Sequence, residues 1–106
     1  MTTDCPLILL SNDDGIEAPG LRELASALGT VAEVQVIAPD RERSAISHAI
    51  SLDRPLRVTE TRPGWHAVSG TPADCVYLGV MHLCPRRPAL CVAGINPGCN
   101  LGADVF

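Results

Sequence analysis

The sequence predicts an α/β fold built on a mainly parallel sheet, and three observations carry that prediction. Short apolar stretches near residues 7–11, 31–38 and 89–95 read as strands, the first a continuous apolar run and the third also buried in a sheet interior. Between the first two runs, Leu21, Leu24, Ala25 and Leu28 recur at the spacing of one helical face. Strand, helix and strand thus follow within about thirty residues, the length of a βαβ unit, whose crossover is expected to be right-handed.

The elements follow in order. Residues 7–11, Leu-Ile-Leu-Leu-Ser, form the first strand and stop at a polar cluster. Residues 20–28 form the amphipathic helix, with Gly29 as its stop. Residues 31–38 hold Val34, Val36 and Ile37 and end at Pro39. The middle is less regular. Residues 50–58 and 65–69 are short strands around the turn signal Arg62-Pro63-Gly64, which predicts a hairpin excursion from the main sheet. Thr71 is an N-cap with Pro72 at the first helical position. That helix is expected to run to about Leu83, with Cys75, Leu78, Gly79 and His82 on one face. Residues 89–95 are a third buried strand, and residues 96–102 a Gly/Asn-rich loop.

Composition narrows the functional classes. The chain has 106 residues, the size of one domain, and a formal net charge of −4, so it has no general attraction for nucleic acid polymers. All eight basic residues are Arg. Without Lys there is no P-loop, and no G-x-G-x-x-G follows the first strand. A phosphorelay receiver would need an acceptor Asp after the third strand and a later Lys, whereas here that strand leads to Asn96. A covalent phosphatase with carboxylates two apart is excluded because Asn12 stands where the first would be, opposite Asp14. The five cysteines are odd in number and none is spaced C-x-x-C, which points to reduced, mostly buried thiols. The N-terminus has no basic region and residues 6–10 are too short for a signal or membrane span, so a cytoplasmic protein that does not engage a membrane is expected.

In open α/β folds ligands sit beyond the carboxyl ends of the strands, which directs attention to three loops. The first, Ser11-Asn12-Asp13-Asp14-Gly15, puts two adjacent carboxylates at the end of a buried strand. Their repulsion is relieved by a hard divalent cation with oxygen ligands, although turn and capping roles suit Asp equally. The second, residues 39–48, offers the neutral oxygen of Ser44, and Arg41 and Arg43 to hold a phosphate; a solvated charged loop is the other reading. His48 is a further acid–base candidate there, with a structural role as the other reading of a lone histidine. The third, residues 94–102, brings the amide oxygen of Asn96 and three glycines whose backbone N–H groups can cradle an anion. Together the loops supply carboxylate, hydroxyl and amide oxygens at one sheet edge.

Four strings carry a resemblance: Leu9-Leu10-Ser11-Asn12-Asp13-Asp14-Gly15-Ile16, Ala38-Pro39-Asp40-Arg41-Glu42-Arg43-Ser44, Gly70-Thr71-Pro72-Ala73-Asp74-Cys75-Val76 and Gly94-Ile95-Asn96-Pro97-Gly98-Cys99-Asn100-Leu101-Gly102. In this order, across nearly the whole chain, they resemble the stationary-phase survival protein SurE family. The resemblance implies a Rossmann-like three-layer α/β/α fold, truncated relative to the family, with residues 1–106 as a single SurE-like domain incomplete at its C-terminus. It implies divalent-metal-dependent hydrolysis of nucleoside 5′-monophosphates to nucleoside and phosphate, of the acid phosphatase or 5′-nucleotidase type. One Mg²⁺ or Mn²⁺ per subunit is then held by Asp13, Asp14, Ser44 and Asn96. Asn12, Gly70 and Thr71 fall beside the substrate pocket, with Arg43, Gly94, Gly98 and Asn100 as further phosphate-binding candidates. Asp13 or Asp14 also orients or deprotonates the attacking water, and the sequence does not choose between them. Family members form homo-oligomers and run to roughly twice this length, adding more of the phosphate site and further strands. Two alternatives follow from the length: a metal- or nucleotide-binding fragment without turnover, or a chain whose uncovered apolar sheet edge favours self-association.

Overall fold

The structure, a computed structural model, describes residues 5–41 and 55–94, and the backbone of 104–105. The strands β1 (Leu7–Ser11), β2 (Glu33–Pro39), β3 (Val58–Arg62), β4 (Trp65–Val68), β5 (Leu90–Ala93) and β6 (Asp104–Val105) form one sheet in the order β3-β4-β2-β1-β5-β6. The pairs β1–β2, β1–β5 and β2–β4 are parallel; β3–β4 and β5–β6 are antiparallel. The expected mainly parallel α/β sheet is therefore present.

Successive side chains of a strand point to opposite faces, and the core divides accordingly. Ile8, Leu10, Val36, Ala38, Ala67 and Val92 pack with Leu21, Leu24, Ala25 and Leu28 of α1 (Pro19–Leu28) on one face. Leu9, Ile37 and Val68 pack with Cys75 and Leu78 of α2 (Pro72–Leu78) on the other. The central strand β1 is buried along its whole length, the pattern expected of a strand covered by helices on both sides.

Both helices begin as the sequence predicts. Pro19 occupies the first turn of α1, one residue before the expected start. The helix ends at Leu28 with Gly29 as its C-cap, the stop the sequence suggested, in a right-handed conformation (φ −65°). At α2, Asp74 N–H donates to Thr71 Oγ1 (3.1 Å) and Thr71 N–H donates to Asp74 Oδ2 (2.8 Å). This reciprocal capping box satisfies two helix-end donors in the interior.

Several boundaries differ from expectation. The helix after Thr71 reaches Leu83, but Gly79–Leu83 is π-helical, with Cys84 N–H donating to Gly79 O (2.9 Å). A π turn advances through a smaller angle per residue, so His82 is carried to the exposed side, away from Cys75 and Gly79. The hairpin is present, but its first strand is residues 58–62 rather than 50–58, of which 50–54 lie outside the described residues. Its second strand joins the main sheet beside β2 instead of leaving it. Ser69 staples the hairpin base: Arg57 N–H donates to Ser69 Oγ (2.7 Å), and Ser69 N–H to Arg57 O (2.9 Å). The third strand is shorter than 89–95 and only partly buried, with Leu90 exposed and Ile95 outside the described residues. Its outer side is paired by β6, so β5 is not a bare edge. Of the four described cysteines only Cys75 is buried; Cys5 is exposed and Cys84 and Cys91 are half-buried, fewer buried thiols than expected. Burial pushes the Cys84 and Cys91 thiols above their ordinary range. Among the described residues no helix is long and apolar enough to cross a membrane.

Candidate functional site

Parallel pairing brings the carboxyl ends of four strands side by side. Ser11 is in register with Ala93 of β5, Leu10 with Val36 of β2, and Pro39 with Val68 of β4. The segments after these strands, beginning at Asn12, Asp40, Ser69 and Gly94, therefore leave from one edge of the sheet. Cross-links tie them together: Ile16 N–H donates to Pro39 O (2.8 Å), Asp40 N–H to Val68 O (2.8 Å), and Gly94 N–H to Ser11 O (3.1 Å).

The first loop is built to hold Asp13 and Asp14 in place. Asn12 is 1% exposed, and its side chain closes a ring with Gly15: Nδ2 donates to Gly15 O (2.9 Å), and Gly15 N–H donates to Oδ1 (3.2 Å). Gly15 has φ 103°, a conformation a side chain resists, so the turn requires glycine here. Ile16 then anchors the far end in the core beside α1. Asp13 and Asp14 stand half-buried between these two anchors. The structure thus gives Asn12 a bracing position, with both ends of its amide bonded to Gly15.

The remaining candidates divide into two groups. Gly70 and Thr71 are buried in the turn between β4 and α2. Gly70 packs so closely on the Asp74 carboxylate and Leu56 that an added Cβ would meet both, and Thr71 Oγ1 takes part in the capping box. Gly94 is buried at the end of β5. Ser44 and Asn96, as well as Arg43, His48, Gly98 and Asn100, lie outside the described residues. Arg41 is described: it is exposed and pairs with Asp40 at 3.7 Å.

Two residues that the sequence reading passed over belong to this region. Asp74 is fully buried and fixes the Gly70-Thr71 turn; its signal was the Thr-x-x-Asp spacing. Ser11 is 1% exposed, and its Oγ has no hydrogen-bond partner. A buried unpaired hydroxyl costs stability, and such groups are found where a protein keeps a polar atom for use. Ser11→Ala is therefore expected to leave folding stability unchanged or raise it by up to about 1 kcal/mol, because it removes a desolvated group that gains nothing. A chemical unfolding curve showing a loss of stability would mean that the hydroxyl is paired after all.

The donor chemistry suits a hard cation as far as it is described. Among the described residues no three His, Cys, Asp or Glu side chains come together. A set made of two carboxylates, a hydroxyl and an amide contains only two such groups, and those two, Asp13 and Asp14, are held adjacent at the end of the central strand. Oxygen donors of this kind match Mg²⁺ or Mn²⁺.

Comparison with known proteins bears on the same segments. The family model described as Survival protein SurE matches residues 8–106. The 5′-nucleotidase SurE of Pelobacter propionicus is 60% identical over 98 residues, which make up 92% of this chain and 40% of that protein. The 5′-nucleotidase SurE of Anaeromyxobacter sp. is 61% identical over 100 residues, 93% of this chain and 39% of that one. Among solved structures, the crystal structure of SurE protein from Aquifex aeolicus superposes with a TM-score of 0.83 at 42% identity, covering 92% of this chain and 40% of its own. The chain thus spans about 40% of the length of the relatives it matches. With the family model matched from β1 onward and a three-layer sheet of the same architecture, the chain belongs to the SurE family.

Proposed function

We propose that this chain provides the metal- and nucleotide-binding face of a phosphomonoesterase that hydrolyses nucleoside 5′-monophosphates. The observation that carries the proposal is the braced Asp13-Asp14 pair at the end of the buried central strand, in a chain whose relatives are named 5′-nucleotidase. In this reading Asp13 and Asp14, with Ser44 and Asn96, hold one Mg²⁺ or Mn²⁺. When bound, the cation supplies a Lewis acid that offsets phosphoryl charge and makes a neighbouring water more acidic. Asn12 and Gly15 keep the two carboxylates at a fixed spacing, so that little reorganisation is required during reaction. One of the two carboxylates orients the attacking water or accepts its proton. Arg43 and the backbone N–H groups of Gly94, Gly98 and Asn100 are proposed to hold phosphate oxygens, and the Gly70-Thr71 turn to border the nucleotide.

Binding is the part of this function that the described residues support most directly. A second reading, metal and nucleotide binding without turnover, is favoured by the chain spanning about 40% of its relatives. Two measurements separate the readings. Calorimetry is expected to show Mn²⁺ binding that Asp13→Asn removes; unchanged affinity in that variant would sink the metal site. Phosphate release from a nucleoside 5′-monophosphate in the presence of Mn²⁺ supports turnover, whereas metal and nucleotide binding with no release supports binding alone. Release that persists in a chelator contradicts both.

A further inference from the structure

A hollow of about 420 Å³ opens on the α1 face of the sheet, lined by Arg22, Ala25, Ser26 and Gly29 from α1 and its C-cap, Ala32 and Val34 at the start of β2, and Arg62 and Trp65 of the hairpin. Its volume lies within the range of small-molecule sites. It sits at the amino-terminal end of β2, whereas Asp13 and Asp14 stand beyond the carboxyl ends. Pro39 lies five steps along the strand from Val34, about 16 Å at the usual rise per residue. The hollow is therefore separate from the candidate site.

Its chemistry is specific. The floor is apolar: Ala25, Ala32, Val34 and Trp65 all contact the hydrophobic core of that face. Two guanidinium groups stand around it. Arg62 lies over the Trp65 ring, 4.9 Å from its centroid, a cation–π contact that holds the guanidinium at the rim of the hollow. Among the described residues neither Arg22 nor Arg62 has a carboxylate partner, whereas Arg41 pairs with Asp40 and Arg86 with Glu33. Two unpaired cations at one hollow are unexpected in a chain whose net charge is −4. Two guanidinium groups lining one hollow suit a ligand with two negative charges. A phosphate monoester has nearly that charge near neutral pH, and its oxygens match the guanidinium fork. A carboxylate has only one charge.

We propose that this hollow binds a phosphate monoester of a small apolar or aromatic group, its phosphate held between Arg22 and Arg62 and its organic part laid on the apolar floor of Ala25, Ala32 and Val34 beside Trp65. Binding here needs no metal and does not depend on Asp13 or Asp14.

Trp65 is the only tryptophan in the chain, so its fluorescence reports on this hollow alone. The test titrates the chain in chelator with phenyl phosphate, inorganic phosphate and benzoate. Phenyl phosphate is expected to change the Trp65 emission saturably, with inorganic phosphate and benzoate each weaker by roughly tenfold, the scale of one lost charge-assisted or apolar contact. Arg22→Gln, a change at an exposed position, should weaken phenyl phosphate roughly tenfold while its unfolding midpoint stays unchanged. Asp13→Asn should bind as the parent does. No saturable change at millimolar phenyl phosphate overturns the site, and equal affinity in Arg22→Gln removes the phosphate clamp. Equal affinity for benzoate overturns the choice of a dianion, and equal affinity for inorganic phosphate removes the role of the apolar floor.

Discussion

Asp13→Asn is expected to lower metal-dependent phosphate release by about three powers of ten, equivalent to roughly 4 kcal/mol of barrier, without unfolding the protein. The substitution keeps the shape of the side chain and removes one negative charge. If Asp13 only shaped the turn, Asn would serve nearly as well, because both residues favour turns, and activity would be unchanged. If Asp13 holds a cation, the lost charge weakens the binding of that cation. The metal-free protein should respond in the opposite sense. Asp13 and Asp14 are consecutive and half-buried, pinned between the Asn12–Gly15 ring and the anchored Ile16. Relief of their repulsion should leave the metal-free protein as stable as before or more stable by up to about 1 kcal/mol. Stability gained or held while metal affinity and phosphate release fall together is the signature of a functional carboxylate. Calorimetry with Mn²⁺, a phosphate-release assay and a denaturant curve in chelator measure the three quantities. A variant that loses stability and activity in parallel would point to a structural role.

Much of this arrangement was legible in the sequence because it rests on local patterns. The uninterrupted run Leu7 to Leu10 marked a strand covered on both faces, and it became the central strand. The 3.6-residue periodicity of Leu21, Leu24, Ala25 and Leu28 marked the helix face that packs on it. Thr71 followed by Pro72 marked a helix start, and the capping box forms there. What was not legible depended on partners distant in sequence. Nothing local to the hairpin indicated that β4 would lie parallel to β2 within the main sheet, since that pairing joins residues about thirty apart. The π turn at Gly79 widens a helix whose composition looks regular. The site shows the same division. The Asp13-Asp14 pair could be read from its strand end, but the commitment of Asn12 to Gly15 and the solitary hydroxyl of Ser11 are properties of burial. The Arg22–Arg62 hollow joins a helix to a hairpin forty residues away, so no sequence window contains it.

The seam between the central strand and the second helix should be strongly coupled, and Leu9 with Gly79 is the place to measure it. Leu9 is fully buried, and a Cβ added at Gly79 would lie 2.8 and 2.9 Å from its two methyl carbons and 3.2 Å from Ile37 Cδ1. Glycine is required here for space: the first residue of the π turn lies directly on β1 and β2. Gly79→Ala alone is expected to cost about 1–3 kcal/mol, because the added methyl forces buried neighbours off their preferred rotamers. Leu9→Ala alone should cost about 2–5 kcal/mol through lost burial and a cavity. In the double variant the new methyl projects into the space that Leu9 vacated, so each change removes part of the other's cost. The double variant should therefore be more stable than the sum of the single effects predicts, by at least about 0.5–1 kcal/mol, the size of coupling seen between residues in contact. Unfolding in urea measures all four corners of the cycle. Strict additivity would mean that the helix shifts away from β1 as a body instead of meeting Leu9. Such a shift would also move α2 and with it the Thr71–Asp74 cap. Because that cap fixes the Gly70-Thr71 turn, the packing of Leu9 under Gly79 is tied to the geometry of that candidate turn as well as to the stability of the fold.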